Sequence, residues 1–132
     1  MSSARRASRD RAGTLAPEAF LPLGVPTLRI LLALGDDRLH GYAMLQRLEQ
    51  ESGGRDAMLP GTLYSTLAKM LDAGLVEEVA SERQDDDARR RYYHVTPFGQ
   101  EVARAEALRL ERLVTLARKR KLLPAVGGEE GG

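Results

Sequence analysis

Two stretches of this chain hold side chains suited to gripping another molecule. The first, residues 60–73, sets Thr62, Ser65 and Lys69, with Tyr64 beside them, at spacings that bring them towards one side of a helix. Such hydroxyls donate to phosphate oxygens or base edges, a lysine ammonium meets a phosphate, and the small Gly61 and Ala68 let that side approach a surface closely. Tyr64 stands on the border of this side, either as a core residue showing its hydroxyl or as a phosphate donor. The second stretch is Arg89-Arg90-Arg91-Tyr92-Tyr93, reached through Glu82-Arg83-Gln84-Asp85-Asp86-Asp87-Ala88. Consecutive guanidinium groups on a projecting turn suit phosphates, because counterion release drives that contact whatever the bases. Asp85, Asp86 and Asp87 would repel a phosphate and are expected to curl away or pair with arginines. With no further spaced oxygen ligands in view, they read as a solvated acidic turn rather than a divalent-cation site.

Catalytic chemistry finds no comparable set. His40 and His94 are the only histidines, they fall on different elements, and no cysteine exists to complete a zinc or thiol site, so each is read as structural. Gly53-Gly54 and Pro60-Gly61 lack the Gly-Lys-Ser/Thr ending of a phosphate-binding loop, and no G-x-G-x-x-G follows a strand. The expectation is a protein that is no enzyme and uses no cofactor or metal.

The elements that position these residues follow from sequence punctuation. Pro60 suits a first helical turn and Gly74 a left-handed stop, which predicts a helix from Leu59 to Ala73 with Leu63, Thr66, Leu67, Met70 and Leu71 inward and Gly61, Ser65, Ala68 and Asp72 outward. Strands are expected from Leu75 to Glu82 and from Arg89 to Val95, with Leu75, Val79, Tyr93 and Val95 on the inner face of the hairpin. Before them, Pro26 to Leu34 and Leu39 to Ser52 read as helices, the second offering Tyr42, Met44, Leu45 and Leu48 to the core. After them, Thr96 as N-cap and Pro97 in the first turn open a last helix reaching about Leu122. A helix followed by a charged hairpin predicts a winged helix. The fold class is mainly α with a small β-hairpin: a winged helix-turn-helix with a long C-terminal dimerisation helix.

At 132 residues the chain suits one domain, and its longest apolar run, around Ile30 to Leu34, is far shorter than a membrane helix or signal-peptide core requires. A cytoplasmic location with no membrane partner is expected. Net charge is only +1, so nucleic-acid binding must rest on local clusters. Residues 1–16 read as a disordered basic arm carrying Arg5, Arg6, Arg9 and Arg11, residues 17–95 as the winged helix-turn-helix, residues 96–124 as the dimerisation helix, and residues 125–132 as a disordered tail. The run Arg118-Lys119-Arg120-Lys121 complements the dipole at a helix C-terminus. The first helix is apolar nearly all round, and the last carries a stripe wider than the ~100° that one core would cover. Both therefore predict a two-fold partner of the same sequence, with Leu28, Leu31, Leu110, Leu113, Val114 and Ala117 at the dimer interface.

In this order and spacing the motifs resemble the PadR family of bacterial transcriptional regulators. They are Ile30-Leu31-Leu32-Ala33-Leu34, His40-Gly41-Tyr42-Ala43, Pro60-Gly61-Thr62-Leu63-Tyr64 with Leu67 and Leu71, Gly74-Leu75-Val76, and Arg89-Arg90-Arg91-Tyr92-Tyr93 before Thr96-Pro97 and Gly99. The resemblance covers about Leu21 to Leu123, and its single C-terminal helix is that of the short subfamily. It implies a homodimeric repressor of promoters that binds double-stranded DNA at an inverted-repeat operator, with release by a small-molecule effector in some members. Some short members stack flat drugs between tryptophans at the dimer centre, and this chain has no tryptophan. Two other readings are a winged-helix module binding protein through the same face, and a sensor holding a small hydrophobic effector at the seam between the long helices.

Overall fold

A computed structural model describes residues 16–80 and 90–126 of the protein. A 3-10 turn, Pro17–Phe20, leads into helix α1, Val25–Leu34, which has a proline in its first turn and stops at Gly35 with φ +54°. Strand β1 (Leu39–His40), helix α2 (Gly41–Glu51) and helix α3 (Pro60–Ala73) follow, then strands β2 (Val76–Val79) and β3 (Tyr92–Val95), and helix α4 (Pro97–Lys119). The strands form an antiparallel sheet in the order β1-β3-β2, with Leu39 opposite Tyr93 and Val76 opposite Val95. No helix among the described residues is long and apolar enough to cross a membrane.

Helix α1 lies at the centre: α2, α3, α4 and β3 all pack on it, and Ile30, Leu31, Ala33 and Leu34 are buried. For Leu31 this corrects the expectation of a place at an interface with a second chain, whereas Val25 and Leu32 of the same helix are exposed. Leu31 is 3% exposed and belongs to the core, because a helix surrounded by its own chain buries several faces at once. Two arginines tie the neighbouring loops down. Arg47 donates to the Ala33 carbonyl (2.9 Å) at the end of α1 and to Asp37, while Arg29 donates to the Asp56 carbonyl (2.8 Å) in the loop before α3.

Two differences from the sequence reading have local causes. Leu39 and His40, expected in the first turn of α2, form β1 instead. His40 has extended backbone and its ring Nδ1 accepts the Ala43 N–H at 3.3 Å, so it caps α2 from outside. On the hairpin, Tyr93 and Val95 are buried as expected, but the inner face of β2 is shifted by one residue. Gly74 is left-handed, its N–H donates to Leu71, and the Leu75 N–H donates to Met70 at 2.9 Å, so Leu75 is buried as the hydrophobe that closes α3. The strand starts at Val76, which points inward opposite Val95, and Val79 lies on the other face opposite Tyr92.

The junction into α4 is tight. Thr96 Oγ1 donates to the Gly74 carbonyl (2.6 Å) and accepts the Gly99 N–H (2.9 Å), capping α4 as expected. Gly99 packs so closely that an added Cβ would overlap the Leu75 carbonyl oxygen and lie 2.9 Å from its carbon.

Further along α4, Glu106 is 1% exposed. Its carboxylate accepts from Arg109 and from the Leu23 N–H at 2.9 Å, which anchors the segment before α1. The Arg109 hydrogen bond and then the Leu23 N–H hold its carboxyl below the ordinary range, against the opposing effect of burial. A depressed folded value means that the contribution is complete above the unfolded carboxylate value of about 4.3 and is lost as pH falls through the folded value. Glu106→Ala leaves the Leu23 N–H without its acceptor and is expected to cost about 2 kcal/mol at neutral pH. Urea midpoints at pH 7 and at successively lower pH should show that loss in full at the first and a shrinking one as pH falls through the depressed folded value.

Candidate nucleic-acid interface

Helix α3 turns Leu63, Leu67 and Met70 into the core and leaves Gly61, Thr62, Ser65, Ala68 and Lys69 exposed. The Ser65 hydroxyl donates to the Thr62 carbonyl (3.2 Å), folded back on its own helix. Tyr64 is 50% exposed and leans on the start of α2, where a Cβ at Gly41 would overlap its hydroxyl and lie 2.7 Å from Cζ. Glycine at the first position of α2 is what lets the two helices meet there.

His40, Gly41, Tyr42, Tyr64, Arg90, Arg91 and Tyr93 line one cleft of about 400 Å³, between the start of α2, α3 and the base of the wing. Tyr42, expected in the core, is 65% exposed. α2 buries Gly41, Met44 and Leu48, a stripe from which position 42 points away. The His40 ring meets Tyr92 edge-on, with centroids 5.3 Å apart, and its Nε2 lies 3.5 Å from Arg90 Nη1. Arg91 reaches Glu78 at 3.4 Å. Burial pushes the Tyr93 hydroxyl above the usual phenol range and the Glu78 carboxylate adds to this, so the group stays protonated and able to donate at neutral pH.

The structure thus brings Tyr64, Arg90 and Arg91 to one cleft, while Thr62, Ser65 and Lys69 stand on the outer side of the same helix. Arg89, the acidic segment Asp85 to Asp87 and the N-terminal arginines lie outside the described residues. Sequence reasoning left out His40, Gly41 and Tyr42 as cleft residues. The usable signal was a glycine opening a helix, a position that calls for close approach rather than helix propensity. Among the described residues no group of three or more His, Asp or Glu side chains could hold a metal ion.

On α4, Leu113 is 51% exposed, with Leu108, Val114 and Leu116 also exposed. Leu28, Leu110 and Ala117 are partly covered.

Residues 30–105, more than half of the chain, match the family model described as transcriptional regulator PadR-like family. The chain belongs to this family. PadR-like proteins are transcriptional regulators and not enzymes. A PadR family transcription regulator from Clostridium difficile shares the fold at 20% identity and a TM-score of 0.62, covering 73% of this chain and 97% of that one. RosR from H. salinarum is 25% identical with a TM-score of 0.57 over 85% of this chain and 96% of its own. PadR from Bacillus subtilis, solved in complex with operator DNA, is 19% identical with a TM-score of 0.52 over 76% of this chain and 64% of its own. An uncharacterized 37.1 kDa protein in transposon TN4556 of Streptomyces fradiae is 38% identical over 84 residues, which are 64% of this PadR-like chain and 22% of that protein. The chain therefore matches about a fifth of that relative's length.

Proposed function

We propose that this PadR-like regulator binds double-stranded DNA as a homodimer at an inverted-repeat operator and represses transcription in the cytoplasm. One observation carries the reading: α3 and the base of the wing flank a single cleft, so that the hydroxyls of α3 and the guanidinium groups of the wing can meet one duplex together. In this arrangement α3 enters the major groove, where Thr62 and Ser65 reach base edges and Lys69 a phosphate. Arg90 and Arg91, with Arg89 before them, meet the flanking backbone. Residues 17–95 act as the reading head and residues 96–124 join two heads through the exposed apolar side of α4. The operator-bound PadR of Bacillus subtilis supports this use of the fold.

The test is a gel shift with the DNA upstream of the chain's own gene at two salt concentrations. Arg90→Ala with Arg91→Ala should weaken binding to operator and unrelated DNA alike. The salt dependence, as the slope of log K against log salt, should flatten by about 0.9 for each phosphate that the wing no longer neutralises. An unchanged slope places the wing away from DNA.

A second reading, in which a small hydrophobic effector tunes the dimer, is favoured by a groove of about 380 Å³ in which Leu21, Pro22, Ala105 and Leu108 are flanked by Glu18, Arg109 and Arg112. The groove reaches Leu108, one of the exposed apolar residues of α4.

A further inference from the structure

We infer that Glu106 is the positioning residue that sets the angle between α4 and the reading head, and through it the spacing of half-sites that a dimer accepts. The inference rests on the dimeric DNA-binding reading and adds to it the contact that fixes the two heads relative to each other.

Glu106 stands where α4 leaves the head. Gly99, Val102 and Glu106 are the buried residues of this helix, they share one face, and no described residue after Glu106 is buried. Residues 107–119 extend about 20 Å further and carry the exposed Leu113 and Val114. Whatever angle Glu106 fixes is therefore carried outward to the side of α4 that meets a second copy. A tilt of about 10° at this point displaces the far end of the helix by about 3.5 Å, close to the rise of one base pair. A small rotation thus changes which spacing fits.

The contact across the junction is directional. Glu106 Oε2 accepts the Leu23 N–H at 2.9 Å, and Leu23 lies just before α1, the helix on which the head is built. Arg109, one turn along the same helix, donates to both carboxylate oxygens, with Nη2 3.0 Å from Oε2. Such a paired fork holds a carboxylate in one plane. Arg109 therefore aims the carboxylate, and the Leu23 N–H is its target. The segment before Leu23 touches α4 once more, near the start of the helix, where Phe20 meets Phe98 edge-on with centroids 5.2 Å apart. Aromatic contacts tolerate sliding, whereas a hydrogen bond weakens steeply once its angle is lost.

Stability alone does not call for a carboxylate here. Exchanging a buried ion pair for well-packed apolar residues is often neutral or stabilising, and Val102, one turn earlier, packs on the same face without any charge. An apolar side chain would hold α4 on the head over a range of angles. The aimed carboxylate selects one.

Two measurements on the full chain test this. The sequence has no cysteine, so one introduced at the exposed Gln46 of α2 labels each head once. Spin-label distances between the two heads should form one narrow distribution in the otherwise unaltered chain and one about twice as broad in Glu106→Leu. Glu106→Gln, which keeps an acceptor for the Leu23 N–H, should narrow it again. Equal widths in the unaltered chain and Glu106→Leu, or equal widths in the Leu and Gln variants, would overturn the inference. In the second measurement, the half-sites found upstream of the gene are moved apart or together one base pair at a time. The unaltered chain should prefer one spacing about tenfold over its neighbours and Glu106→Leu by no more than about threefold, with equal affinity for an isolated half-site. An equal preference, or a loss of half-site affinity in Glu106→Leu, would overturn the positioning role. Absence of any distance between heads would overturn the dimer and the inference with it. Clear distances without DNA binding would overturn the DNA reading and leave the hold of Glu106 on the heads in place.

Discussion

Gly99→Ala is expected to lower stability by about 3 kcal/mol, a large share of the ~5–15 kcal/mol that holds a domain of this kind together. The cause lies in the backbone. An added Cβ would overlap the Leu75 carbonyl oxygen and crowd Val95 Cγ1, and neither can swing aside as the end of a long side chain could. The Leu75 carbonyl also accepts the Thr96 N–H (3.0 Å), so pushing it away loosens the junction that carries the chain from β3 into α4. Gly61→Ala is the matched control. Nothing stands within 4 Å of a Cβ there, and alanine in the first turn of α3 is expected to leave stability unchanged or raise it by about 0.5 kcal/mol. Urea midpoints for the two variants decide the matter. Equal midpoints would mean that α4 does not pack against the Leu75 carbonyl.

The second large effect concerns the proposed dimer. Leu110, Leu113, Val114 and Ala117 follow the spacing of one helical stripe, and Leu113 and Val114 are exposed in the single chain. Isolated exposed leucines need no explanation, but a run of them along one side of a helix does. Leu113→Glu combined with Val114→Glu places two carboxylates per chain on that stripe, and a two-fold axis brings all four together. Dimerisation should weaken at least a hundredfold, about 2.7 kcal/mol, because unpaired charges at an apolar contact are costly to desolvate. Sedimentation at micromolar concentration should then report a monomer whose helical circular dichroism is unchanged, since both side chains face outward. DNA affinity should fall with it, because each half-site would be held by one head alone. A dimer of unaltered strength would remove this face from the account.

Parts of the fold were legible because single residues have one physical use. Pro60 and Gly74 bound α3, and Thr96 with Pro97 opens α4, through geometry that few other residues supply. Periodicity distinguishes less. An all-round apolar helix can be the centre of its own chain or the face of a dimer, and for Leu31 in α1 the packing of four other elements decides for the core. A two-residue strand such as β1 has no period to detect, and the shift in β2 follows from a cap that takes up Leu75. Glu106 lies beyond sequence reading for a different reason. A charged residue in a mixed stripe reads as solvent-facing, and its backbone partner Leu23 is 83 residues away. On the candidate site, the thin face of α3 was visible from residue size and polarity. The cleft depends on Tyr64 resting on Gly41, a contact between two helices that spacing within either cannot reveal.

The central claim is that two copies of this chain read DNA through α3. Hydroxyl-radical footprinting of the DNA upstream of its gene tests it most directly. Two protected half-sites related by a dyad are expected, their centres separated by about 34 Å or a multiple of it, as one helical turn requires. A single asymmetric footprint would contradict the account.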